Sequence, residues 1–266
     1  MSPQSNTAQC SNPGDPVEHL MGTVSATRLN TWHCCRLKYR FRYVDRIEKP
    51  RTPSLQVGMV VHGVLQGWNM GRWKKAPLGP PECHALFNHL WAAETARVDW
   101  EGDEEVQKAT ARDLIDTFLR ETPIETGEAP EGVEVAVEAD LARHGLPVLI
   151  GVLDLVQGGR IIDFKTAARS PGGEVLHQHE VQLSCYSILY REATGRREQG
   201  RELHHLVKTK VPKLVVTSFE PMSPKQEERL CRLIESHMNG LARRDFVPSV
   251  GMQCGACEYA GECRDW

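Results

Sequence analysis

The stretch Gly151-Val152-Leu153-Asp154-Leu155-Val156-Gln157-Gly158-Gly159-Arg160-Ile161-Ile162-Asp163-Phe164-Lys165 decides how the middle of this chain folds. Gly158-Gly159 separates two apolar runs, and the primed turns of two-residue hairpins need positive φ, which glycine adopts without penalty. With these residues as the turn, Gln157 opposes Arg160, Val156 opposes Ile161, Leu155 opposes Ile162 and Asp154 opposes Asp163. Side chains alternate along a strand, so Lys165 shares the face of Asp163, and Leu153, Leu155, Ile162 and Phe164 are expected on the other face, in a core. Facing residues have Cβ atoms roughly 4.5–5.5 Å apart, where two like charges repel. A divalent cation removes that repulsion. Mg²⁺ and Mn²⁺ take oxygen ligands and keep water molecules, so paired carboxylates beside an ammonium form a hydrolytic site. Lys165 would orient the attacking water or stabilise developing charge. An exposed hairpin with a solvated polar face explains the alternation but not the opposition of two acids.

Outward from this hairpin, strands are expected at about 133–142, 147–156 and 160–166, then a helix near 180–193, strands near 203–209 and 213–219, and a last helix from Ser223 to about Arg244. Ser223, Pro224 and Gln226 carry its capping-box signature. Upstream, Ser25 or Thr27 caps a helix running to about Val44. Val57, Val60, Val61, Val64, Leu65 and Trp68 recur at helical spacing over 57–73. Two amphipathic helices are expected between Glu82 and Arg120, with breaker-rich linkers at 74–81 and 121–132. The whole reads as α/β: a helical part over 23–132, a core with a central mixed sheet over 133–222, and a helix with a cysteine cluster over 223–266. Residues 1–22, polar and proline-punctuated, read as a flexible tail.

With 266 residues, 40% hydrophobic and 25% charged, the chain has a globular composition, and no run of about 18 apolar residues suggests a membrane span. Without an export signal it is expected in the cytoplasm, where nine cysteines argue for metal or buried thiols rather than disulfides. A net charge of −3 does not announce a nucleic-acid binder. Yet Arg36, Lys38, Arg40, Arg42, Arg46, Lys49 and Arg51 interleave with Tyr39, Phe41 and Tyr43, which suits either phosphate contact with base stacking or a solvated helix face. Gly195 to Arg201 imitates a phosphate loop but offers Arg201 and Glu202 where Lys and Ser/Thr are required, so no ATP-driven motor is expected in this chain.

Asp154, followed after a short hairpin by Asp163-Phe164-Lys165, resembles the PD-(D/E)XK nuclease motif. More narrowly, the chain is similar to the RecB-like group, which includes nuclease domains of recombination helicases and CRISPR-associated exonucleases. Gly58-Met-Val-Val-His62 resembles the upstream histidine motif of that group. Gln182-Leu-Ser-Cys-Tyr186 resembles its Gln-x-x-x-Tyr motif, and Ser25 to Cys35 its N-terminal helix. The resemblance implies a restriction-endonuclease-like core, with Asp154, Asp163, Lys165 and His62 catalytic and with His62, Asp154 and Asp163 holding Mg²⁺ or Mn²⁺. Gln182 and Tyr186, four apart on one helical face, could hold a phosphate or base. Gly58, one turn before His62, leaves space above it, although a lone histidine there is otherwise more often structural. Glu138 is a weaker candidate, because a His144-Gly145 turn opposes it to Gly151.

Cys254-x-x-Cys257 and Cys263 supply three thiolates, and a four-thiolate site needs one more. The resemblance nominates Cys35, with Cys34 adjacent, and implies a [4Fe-4S] cluster joining the two ends of the chain; Zn²⁺ is the competing occupant. Cys10, Cys83, Cys185 and Cys231 read as tail or core thiols. The implied function is an exonuclease hydrolysing phosphodiester bonds in single-stranded DNA or at DNA ends, in repair and recombination or in CRISPR spacer processing, beside a helicase or adaptation proteins. A non-catalytic DNA-end-binding scaffold is the alternative, and the intact Asp-Asp-Lys set speaks against it.

Overall fold

In the computed structural model, which describes residues 14–94, 98, 100 and 103–266, the strands β3 (Val148–Gln157) and β4 (Arg160–Ala167) form the expected hairpin. Gly158 and Gly159 have φ of 56° and 69°, and Gln157 pairs with Arg160, Val156 with Ile161 and Leu155 with Ile162. Before the hairpin come α1 (Pro16–Met21), β1 (Thr23–Val24), α2 (Ala26–Cys34), α3 (Arg36–Tyr39), a π turn (Arg40–Val44), α4 (Pro53–Trp73), α5 (Pro80–Glu94), α6 (Glu104–Glu121) and β2 (Gly132–Ala139). After it come α7 (Val175–Thr194), β5 (Gly200–Val207), β6 (Lys213–Phe219), α8 (Pro224–Ala242) and α9 (Ala260–Arg264).

These strands make a mixed sheet. β2 pairs antiparallel along β3 from Val156 to Leu149. β1, parallel at Val148 and Leu149, and β4, antiparallel from Leu155 onward, therefore share the other edge of β3. That edge is left open between Leu149 and Leu155, and Asp154 lies in the opening. β4 continues parallel to β5 through the α7 crossover, and β5 pairs antiparallel with β6.

Helices cover both faces, as a sheet with two apolar sides requires. On one side Leu149, Leu153, Val156 and Ile161 pack with Leu29, Trp32, Leu189, Tyr190 and Ile234. On the other, Leu155, Ile162, Phe164 and Leu206 meet Val57, Val61, Leu65, Leu114 and Phe118. The capping signals act as the sequence suggests: Ser25 accepts from Arg28 N, and Ser223 with Gln226 closes the capping box.

Three expectations need correction. The tail expected over 1–22 does not hold for its described part: Asp15 caps Val17 N at 3.1 Å, Pro16 opens α1, and Val17 and Leu20 are buried, while residues 1–13 lie outside the described residues. The first long helix does not run unbroken to Val44, because Cys35 is extended at φ −163°, ψ 117°. Leu153 does not share the core of Leu155, but packs in the opposite layer. The alternation changes phase at Asp154, and on β2 it changes phase at Glu134, since Val133 packs with the second layer and Val135 and Val137 with the first.

A small third cluster, Leu37, Phe41 and Tyr259 with Cys35, Cys257 and Cys263, joins the two ends of the chain. Arg36–Asp245, Lys38–Glu258 at 2.8 Å and Lys49–Glu262 at 2.5 Å stitch it from outside. No helix among the described residues is long and apolar enough to cross a membrane.

Candidate active site

Past Leu155 and Ile162 the β3–β4 ladder stops, and the register continued by one pair sets Asp154 across from Asp163. In place of a ladder bond, Asp154 Oδ2 accepts from Phe164 N at 3.1 Å. Asp163 is 1% exposed. Its neighbour on the same face, Lys165, places Nζ 2.9 Å from Oδ1 and 2.7 Å from Oδ2. Apart from that ammonium, Oδ2 is buried without a hydrogen-bond donor among the described residues. Burial raises the Asp163 pKa to about 6, the ammonium opposing the rise and the Asp154 charge adding to it.

His62 reaches Asp154 from α4. Its Nε2 lies 2.9 Å from Asp154 Oδ2 and its Nδ1 3.6 Å from Glu134 Oε1. The hydrogen bond to Asp154 raises the imidazole pKa against the effect of burial. The space expected above Gly58 is taken: a Cβ there would stand 3.1 Å from Thr166 Oγ1, so this glycine lets α4 close on β4.

Glu134 was not anticipated. Between the pairs Val133–Leu155 and Val135–Leu153, the register sets it opposite Asp154. Its φ is +50°, a left-handed backbone that costs a non-glycine residue free energy and gathers at functional sites. Burial raises its carboxyl pKa, with the His62 charge opposing. Glu138, the candidate weighed from sequence, is exposed and pairs with Ile150.

Gln182 and Tyr186 do share one face of α7. Gln182 Nε2 donates to Asp163 Oδ1 at 3.1 Å and to Tyr186 OH at 2.8 Å. On the next strand His205, the β5 partner of Lys165, is buried with its ring 5.7 Å from that of His179. Burial lowers its pKa to about 4, so a neutral imidazole stands beside the ammonium without repelling it. Nothing in the periodicity of either segment marks this pair, which parallel pairing alone brings to Lys165.

Among the described residues, His62, Glu134 and Asp154 are the group of His, Cys, Asp or Glu ligands whose donor atoms lie within 4.8 Å of one another. Two carboxylates and an imidazole suit a hard or borderline divalent ion. The metal set expected from sequence thus meets in part: His62 and Asp154 converge, Glu134 joins them, and the Asp163 carboxylate is held instead by Lys165 and Gln182. A cleft of about 460 Å³ opens beside the site, lined by Gly58, Met59, His62, Lys165 and Thr166.

Far along the chain, Cys35, Cys254, Cys257 and Cys263 line one cavity of about 320 Å³. Cys35 Sγ accepts from Ser249 N and Cys254 Sγ from Gly251 N, each at 3.4 Å. Cys34 also borders the cavity but is exposed; Cys83 and Cys185 are buried core thiols, Cys231 is half-buried, and Cys10 lies outside the described residues.

With this geometry, a model of the PD-(D/E)XK nuclease superfamily matches residues 23–264. A solved structure described as a "putative exonuclease" from Eubacterium rectale superposes with a TM-score of 0.64 at 12% identity, over 100% of this chain and 93% of that one. No curated protein matches the sequence.

Proposed function

From the premise that the chain belongs to the PD-(D/E)XK nuclease superfamily, we propose that it is a metal-dependent deoxyribonuclease, an exonuclease acting on single strands or DNA ends. The observation that carries this reading is the convergence of His62, Glu134 and Asp154 within 4.8 Å beside the Asp163–Lys165 pair. His62, Glu134 and Asp154, with Asp163 beside them as a further ligand, would hold Mg²⁺ or Mn²⁺, which would supply Lewis acidity toward the phosphate. The chain's own residues do the rest. Lys165 places a fixed ammonium where charge grows on the phosphate, and Asp163, itself held by Gln182, keeps it there. Tyr186 OH accepts from Gln182, which leaves its own proton to donate to a phosphate oxygen. The description of the Eubacterium rectale protein favours the end-directed mode. Repair and recombination or CRISPR spacer processing, beside a helicase or adaptation proteins, are the settings such an activity serves.

Cys35, Cys254, Cys257 and Cys263 are the ligands we assign to a [4Fe-4S] cluster. The four thiols line one cavity, Cys35, Cys254 and Cys257 all act by charge on Cys263, and the two amide donors suit thiolates. Its role is structural, tying Arg36–Val44 to the C-terminal end. Anaerobically purified protein should be coloured; a colourless preparation with stoichiometric zinc overturns the assignment.

End-labelled single- and double-stranded DNA, incubated with Mg²⁺ or Mn²⁺, tests the activity. Native protein should cut both ways of labelling only with metal, and Lys165→Ala should fold and not cut. Undiminished cutting by that variant would remove the nuclease reading.

A further inference from the structure

Of the seven basic residues between Arg36 and Arg51, four are neutralised in place: Arg36 by Asp245, Lys38 by Glu258, Arg40 by Asp45 and Lys49 by Glu262. Arg42 and Arg46 are exposed, and neither has a carboxylate within 4.0 Å among the described residues. The π turn Arg40–Val44 sets their placement, burying Phe41 and turning Arg42 outward. Arg46 follows it at φ +54°, a conformation that a non-glycine residue holds at a cost.

Both arginines line a groove of about 1460 Å³ that reaches Thr52 and Leu55. Thr52 and Leu55 also line the cleft of His62 and Lys165, so groove and cleft adjoin at these two residues, and the pair is called the trough below. Along its catalytic half the chemistry changes. Leu55 and Met59 are 52% and 40% exposed, and with His62 they are spaced four and three residues apart on α4, hence on one face. Two bare apolar side chains leading to a metal site are unsuited to phosphate and suited to a nucleobase. In a duplex the bases are stacked and paired inside; only an unpaired strand can offer phosphates to Arg42 and Arg46 and bases to Leu55 and Met59 together.

We propose that this trough is a track for a single DNA strand, with backbone contacts at Arg42 and Arg46 and base contacts at Leu55 and Met59, leading into His62 and Lys165. The proposal rests on the nuclease reading and names the strand state of its substrate.

Binding in Ca²⁺ separates the two halves of the track. Fluorescence anisotropy would compare a labelled oligothymidylate of about 15 nucleotides, near the upper range for one binding fold, with an abasic strand of equal length. Arg42→Gln/Arg46→Gln should weaken both strands about tenfold and flatten the salt dependence, since each lost cation removes roughly one released counterion. Leu55→Ser/Met59→Ser should weaken only the strand that carries bases. All four residues face solvent or line the trough, and circular dichroism melts check that the variants remain folded. Native affinity and salt slope in the arginine variant, equal losses on both strands in the apolar variant, or blunt duplex binding as tightly as single strand each overturn the track. Native protein that binds the strand but never cuts DNA instead removes the nuclease reading and leaves the track standing.

Discussion

Asp154 completes the β3–β4 hairpin with its side chain: Oδ2 accepts from Phe164 N at 3.1 Å where the backbone ladder has ended. The same oxygen faces His62 Nε2 at 2.9 Å. Structural and chemical roles therefore meet on one atom, and two substitutions separate them. Asp154→Asn keeps an acceptor for Phe164 but loses the charge; Asp154→Ala loses both. Leaving a buried amide unpaired costs about 1–3 kcal/mol. Urea unfolding should show the alanine variant weaker than the asparagine variant by that amount, while end-labelled DNA stays uncut by both. Equal stability of the two would show that the amide bond contributes nothing.

Glu134 combines a left-handed backbone, φ +50°, with a carboxylate near His62 and Asp154. Backbone strain of this kind costs about 1–3 kcal/mol, and glycine in a strand costs about 0.5–1 kcal/mol of its own. Glu134→Gly should therefore raise the stability of metal-free protein by about 1 kcal/mol while weakening metal binding. Glu134→Gln, with the backbone unchanged, should raise the Mn²⁺ concentration for half-maximal binding without that gain. Calorimetric metal titration and thermal melts read the two effects independently; undiminished metal affinity in both variants would take Glu134 out of the ligand set.

Why Glu134 was hidden while Asp154, Asp163 and Lys165 were legible is a matter of distance along the chain. The glycine turn fixes the β3–β4 register locally, so the opposition of the two aspartates follows from a few residues. Strict alternation then puts Leu153 with Leu155 and Glu134 with Glu138. Both assignments fail at one place, because Glu134 and Asp154 change phase together on neighbouring strands. At that place both side chains meet His62 from α4, across a separation no local pattern records. The break at Cys35 is hidden likewise: helix-compatible residues surround it, and the contact made at this position, Ser249 N to Cys35 Sγ, comes from more than two hundred residues away. Reading residues 1–22 as a tail from their polar composition overlooks α1, although Asp15-Pro16 is a helix-start signal.

The cysteine clasp should carry much of the stability of the joined ends. The three ion pairs around it are partly exposed and worth under about 1 kcal/mol each. A cross-link between Cys35 and Cys254 closes a loop of more than two hundred residues, for which the chain-entropy scale is on the order of 5 kcal/mol. Cys35→Ser should lose visible absorbance and shift the guanidinium midpoint downward, whereas Lys38→Ala should barely move it. A midpoint unmoved by Cys35→Ser would assign the clasp no stabilising role.

Acid sensitivity should come in part from His237. The residue is fully buried, neither ring nitrogen has a hydrogen-bond partner among the described residues, and its ring sits 5.0 Å from Trp32 and 5.1 Å from Tyr39. Burial, with the charges of His33 and Arg28 adding, pushes its pKa down to about 3. Between there and the unfolded value near 6.5 the unfolded chain binds a proton that the folded chain does not, so the His237 contribution to stability is complete above about pH 6.5 and declines as pH falls. The decline is about 1.4 kcal/mol per pH unit, hence roughly 2 kcal/mol by pH 5. His237→Phe keeps an aromatic ring against Trp32 and Tyr39 and removes the titration. Its stability relative to native protein should therefore rise by about 2 kcal/mol between pH 7 and pH 5 in matched urea titrations. His205, lowered for the same reason, titrates in both proteins and cancels from that difference. Parallel pH profiles for native and variant protein would mean that His237 takes up its proton without unfolding.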